Sequence, residues 1–131
     1  MKLKAEISDL KKVLEVVGTF EANPEHGTTA VAIRESEIGS SYSARVGVGK
    51  VSAISQRYFE IRGKVFDDTY HKFTDSILKI EPKELASSRG EKYTCALVDE
   101  KIIRKMTEAS WDDSFNGIDD LKEILQGLKK E

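Results

Sequence analysis

Apolar and polar positions first alternate and then fall into helical spacing along the opening of the chain. Leu3, Ala5 and Ile7 alternate with Lys2, Lys4 and Glu6, which predicts a short half-buried strand. Ser8 then stands where an N-cap would, with Asp9 in the turn that a helix dipole favours. Leu10, Val13, Leu14 and Val17 follow at helical spacing, predicting an amphipathic helix over about 8–20 that Gly18 helps to end. Asn23-Pro24 and His26-Gly27 mark a loop. Thr28 to Ile33 is β-branched and predicts a second strand, closed by the turn signal Glu37-Ile-Gly-Ser-Ser. Tyr42, Ala44, Val46 and Val48 alternate with Ser43, Arg45 and Gly47, predicting a third strand.

Two stretches admit two periods. Within 51–66, Val51, Ile54, Tyr58 and Ile61 make a helical stripe, whereas Phe59, Ile61 and Val65 share one face of a strand; the weight of aromatic and β-branched residues favours the strand. Asp67-Asp68 would cap a helix carrying Tyr70, Phe73, Ile77 and Ile80, with a strand from Phe73 to Ile80 as the rival. Glu81-Pro82 ends either one. Ser87 to Gly90 reads as a turn, Tyr93 to Val98 as a strand and Glu100 to Ala109 as a helix with Ile102, Ile103 and Met106 apolar. Asn116-Gly117 turns the chain into a last amphipathic helix carrying Ile118, Leu121, Ile124, Leu125 and Leu128. The order lacks steady strand–helix alternation. It predicts a single α+β domain, 1–131, with a mostly antiparallel sheet, an N-terminal β-α unit and C-terminal helices on one face.

The opening is similar to the first strand and helix of a sliding-clamp domain. That resemblance covers about twenty residues of generic β-α pattern, and it implies a β-α start and nothing about the later helices.

Composition changes this picture little: 131 residues with 39% hydrophobic and 34% charged side chains suffice for an ordinary core. The lone Cys95 lies in the apolar run Tyr-Thr-Cys-Ala-Leu-Val, where a buried thiol is expected rather than a nucleophile or a disulfide partner. No run is apolar enough to span a bilayer and the start lacks a secretory leader's apolar segment, so the expected location is cytoplasmic.

Charge distribution is more informative than the net value of −2. Ser43 to Lys64 holds five bases against one acid, and Asp99 to Glu131 nine acids against six bases. Gly47-Val48-Gly49-Lys50 invites comparison with a phosphate loop. Yet Ala44 stands where that loop needs its first glycine, Val51 where it needs a hydroxyl, and Ser52 where a dinucleotide fingerprint needs its third glycine. The reading is a turn or bulge between strands, with Gly47 and Gly49 supplying a permissive backbone.

Residues 112–123 resemble an EF-hand loop, with Asp112, Ser114, Asn116, Asp120 and Glu123 at ligand positions and Gly117 at the sharp turn. Asp119 stands where that loop has an apolar residue, and no second loop exists. The simpler reading puts Asp119 and Asp120 in the first turn of a helix, so no metal and no cofactor are expected. Enzyme signatures are thin: the chain has no Cys/His cluster and no Gly-x-Ser-x-Gly, and His71 beside Asp67, Asp68 and Asp75 reads as a surface residue.

What remains is a central basic strip: Arg45, Lys50, Arg57, Arg62 and Lys64, interleaved with Tyr42, Tyr58 and Phe59. Cations among aromatics suit phosphate groups and stacked bases. The expected function is non-catalytic binding of an anionic, phosphate-bearing ligand, nucleic acid or nucleotide. Arg45, Lys50, Arg57, Tyr58, Arg62 and Lys64 are the expected binding residues. The alternative is a protein-interaction or self-assembly module, a homo-oligomer acting through helix 118–130 and Trp111.

Overall fold

The computed structural model describes residues 2–17, 25–54, 58–67, 72–81, 87–88, 90–111 and 117–130. Helix α1 (Lys2–Val17) precedes strands β1 (Thr29–Ile38), β2 (Ser41–Ile54), β3 (Phe59–Asp67), β4 (Lys72–Ile80) and β5 (Glu91–Leu97). Helices α2 (Lys101–Trp111) and α3 (Ile118–Lys130) follow. All pairings are antiparallel, in the order β4-β3-β2-β1-β5, so the first four strands form a meander and β5 returns beside β1. The fold class is α+β.

The opening differs from its alternating pattern. Residues 2–7 are not a strand but the first turns of α1, and the similarity to a sliding-clamp start ends with them. Leu3, Ile7, Leu10 and Leu14 are spaced by four, three and four, one stripe of a helix, while Ala5 is exposed. Lys, Leu, Ala and Glu are strong helix formers, and over three apolar residues the two periods cannot be told apart. The second departure is β4, a strand where capped helical spacing competed. Phe73, Ile77 and Ile80 do fit a helix, but Leu78 and Ile80 go to one side of the sheet and are buried while Ile77 goes to the other and is 38% exposed. Pairing along β3 decides it.

Alternation sorts the strands onto two faces. On one, Val31 and Ile33 of β1, Tyr42, Ala44, Val46 and Val48 of β2, Phe66 of β3 and Ala96 of β5 form a core with α1, α2 and α3. Phe66 and its cross-strand partner Phe73 meet with ring centroids 5.4 Å apart. The helices contribute Ile7, Leu10, Leu14, Ile102, Met106, Ile118, Leu121 and Leu125, all nearly inaccessible. The apolar stripe of α3 read as a contact surface for a partner is therefore spent on this chain's own core; the side chains of Trp111 and Leu128 lie outside those described.

The opposite face buries Ala30, Ala32, Val51, Phe59, Ile61, Val65, Leu78, Ile80 and Cys95, with no described helix over it. Among the described residues, the sheet's own curl contributes to its cover. A Cβ on Gly47 would lie 2.8 Å from Leu78 Cδ2, so a side chain from β4 reaches β2 across β3. Gly49 and Gly63 face each other across β2 and β3, and a Cβ on either would run into the other strand's backbone, Arg62 O and Val48 O respectively. These glycines let two strands fold inward together, with a register shift between Val51 and Ala53 just beyond. The Gly-Val-Gly-Lys stretch is therefore mid-strand, at a bend; it is not itself the connecting turn.

Polar contacts lock α1 and the C-terminal helices. Lys11 Nζ lies 2.9 Å from Glu35 Oε1, and the Tyr42 hydroxyl donates to Glu35 Oε2 at 2.9 Å. Asp99 caps α2 by accepting from the Lys101 amide at 2.9 Å. In α3, Asp120 Oδ2 accepts from the Gly117 amide at 3.2 Å, the reciprocal half of a capping box. Asp119 and Asp120 are thus the acidic first turn of α3. Residues 112–116 of the EF-hand-like segment lie outside those described, and no cluster of three or more metal-ligating side chains occurs among the described residues. No described helix is long and apolar enough to cross a membrane.

Candidate functional site

The bend in β2 and β3 creates the site. Val48, Lys50 and Ser52 leave β2 on the helix side, and Arg62 and Lys64 leave β3 on the same side because they pair with Lys50 and Val48. Asp75 of β4 joins them opposite Lys64. Helix α2 stands across from these strands and contributes Ile103, Met106 and Thr107. Together with Gly49 and Gly63, these residues line a hollow of about 420 Å³, within the range of small-molecule sites.

Its electrostatics are unbalanced. Lys50 and Arg62 are direct cross-strand partners and both are exposed. Like charges placed opposite one another in a ladder are destabilising. Neither has a carboxylate within salt-bridge distance among the described residues. Lys64 differs: its Nζ is 2.8 Å from Asp75 Oδ1, a bridge whose acidic end is 87% exposed. One step along, Glu60 faces Lys79. This face of β2–β4 therefore carries four cations, Lys50, Arg62, Lys64 and Lys79, against Glu60 and Asp75. The hydroxyl oxygen of Ser52, in the wall of the hollow, is buried without a hydrogen-bond partner among the described residues, an uncommon state for a polar group.

The strip read from the sequence thus divides. Lys50, Arg62 and Lys64 come together around one hollow. Arg45 does not: it alternates with Val46 and leaves the opposite face of β2. Arg57 lies outside the described residues. Tyr58 precedes β3 and does not line the hollow; the Lys79 ammonium lies 4.3 Å from its ring centroid, so one face already carries a cation. Ser52, Asp75, Ile103, Met106 and Thr107 are additions that no local motif announces. Asp75 could have been found by taking 73–80 as a strand paired to β3, whereas the α2 residues required the docking of a distant helix.

Cys95 belongs to the opposite core, where burial pushes its thiol up to about 12 and away from nucleophilic chemistry. Tyr42 and Tyr93 are also raised, first by burial and then by Glu35 and Glu91 respectively. Compared with protein-family models, with curated proteins and with solved structures, the chain matches none of them.

Proposed function

We propose that this protein binds a phosphate-bearing anion in the hollow between the bent β2–β3 pair and α2. The observation that carries the reading is the Lys50–Arg62 pair, two cations held opposite each other with no carboxylate at salt-bridge distance among the described residues. An arrangement that costs stability in the free protein is explained by a ligand whose negative charge spans both. Arg62 supplies a planar, bidentate donor set, Lys50 a compact charge, and Ser52 a further hydroxyl at the wall.

Isothermal titration with adenosine monophosphate and with a short single-stranded oligonucleotide, at low and at high salt, tests this. At least one ligand binds, and its affinity falls as salt rises. Lys50→Gln and Arg62→Gln each weaken binding by about tenfold or more, the worth of one charge-assisted hydrogen bond. Binding that ignores salt and both substitutions, or no binding at all, overturns the proposal.

A further inference from the structure

Resting on that reading, we infer that the ligand is a small organic phosphate whose phosphate sits at Lys50 and Arg62 and whose apolar body, a ring or short chain, packs against α2. The two sides of the hollow differ in chemistry. The sheet side presents Lys50, Ser52, Arg62, Lys64 and Asp75, and the α2 side presents Ile103, Met106 and Thr107. The Thr107 hydroxyl is engaged with the Ile103 carbonyl at 2.9 Å, so α2 offers the hollow little hydrogen bonding and mostly carbon. Val48 adds a further apolar side chain beneath.

A bare phosphate would use only the sheet side. A nucleic-acid strand needs a groove that continues from one phosphate to the next, with aromatic platforms between. Here the hollow holds one ligand-sized volume of about 420 Å³, and its described lining residues include no aromatic ring. The Lys64–Asp75 bridge sets its β4 boundary, placing a carboxylate where a second phosphate would be repelled. Charge at one side and carbon at the other therefore favour an amphipathic anion with one charged head.

Titrations with inorganic phosphate, phenyl phosphate and the oligonucleotide separate the outcomes. The expected result is that phenyl phosphate binds about tenfold or more tightly than inorganic phosphate, the gain from burying one ring. Ile103→Ala lowers phenyl phosphate affinity and so erases most of that advantage. Thr107→Trp, at an exposed position, narrows the α2 side of the hollow and lowers phenyl phosphate affinity more than inorganic phosphate affinity without opening a core cavity, so it serves if Ile103→Ala fails to fold. Equal affinity for the two phosphates, or oligonucleotide binding that is tighter and indifferent to both variants, overturns this inference while leaving the cationic site standing. Absence of binding by all three anions overturns the site itself.

Discussion

Single atoms decide the bend that makes the site. At Gly49 and Gly63 a methyl group would meet partner-strand backbone, which cannot turn aside as a side chain can. Gly49→Ala or Gly63→Ala is expected to cost about 3 kcal/mol or more, the range of severe backbone and packing conflicts, and to remove the proposed anion binding with the fold. Gly127, in α3, has nothing within 4 Å of its would-be Cβ. Gly127→Ala is expected to stabilise the protein by about 0.5–1 kcal/mol through helix propensity. Urea midpoints of the variants check the contrast; a mild Gly49→Ala would mean that β2 and β3 separate more easily than their facing glycines imply. The same measurement exposes the cost of the Lys50–Arg62 pair. Lys50→Thr removes a like-charge opposition and places a strand-favouring residue in β2, for an expected gain of about 0.2–1 kcal/mol, while the proposed anion binding weakens by about tenfold or more. Stability rising as binding falls is the signature of a functional rather than structural lysine.

At the scale of elements, the sequence was most legible where many residues voted for one period. β1, the first half of β2, β5, α2 and α3 all lie where a β-branched run, alternation or a helical stripe put them, because each has apolar positions enough to fix one period. The failures came where few residues voted. Leu3, Ala5 and Ile7 satisfy a strand and a helix equally, and Phe73, Ile77 and Ile80 satisfy a helix although β3 makes them a strand. The site was half legible for the same reason. Alternation alone separates Arg45 from Lys50, an odd position from an even one, and once Lys50 and Arg62 pair, Lys64 must share their face. That α2 would lie opposite them is a long-range packing outcome with no local signal. What fixes α1 is likewise nonlocal: Lys11 of α1 pairs with Glu35 of β1, and Tyr42 of β2 donates to the same carboxylate. Lys11→Met leaves a nearly buried Glu35 with one partner. Because Lys11 retains some exposure, the expected cost is about 1–3 kcal/mol, below that of breaking a fully buried pair, and Tyr42→Phe costs about 1 kcal/mol. The double variant should cost less than the sum of the two if all three groups act as one network. Strict additivity in chemical unfolding would show that the two contacts are independent.

The described residues form one sheet serving two cores, with helices over one face and a curl that brings Leu78 of β4 to Gly47 of β2 on the other. Strands β1, β2, β3 and β5 send residues into both, so neither core can dissolve while the other persists, and unfolding is expected to be a single transition. Cys95 reports on the second core. Its thiol, ordinarily at 9.0, is held at about 12 by burial, so the folded state keeps its proton where the unfolded chain has released it. A folded pKa above the unfolded one means that this contribution is fully present below pH 9.0 and is lost as pH climbs toward 12. Tyr42 and Tyr93, raised from 10.0, steepen the loss only above that value. Between pH 9 and 10 the slope therefore belongs mainly to Cys95, at most about 1.4 kcal/mol per pH unit for one proton. Chemical unfolding across that interval should show stability declining in the native sequence and holding nearly level in Cys95→Ala, whatever constant penalty its missing sulfur adds. In parallel, a thiol reagent at neutral pH should modify native Cys95 only as fast as the chain opens, and rapidly once urea is added. Equal slopes with and without the thiol, or prompt labelling of the folded protein, would mean that the curled face admits water and that the sheet does not close over its second core.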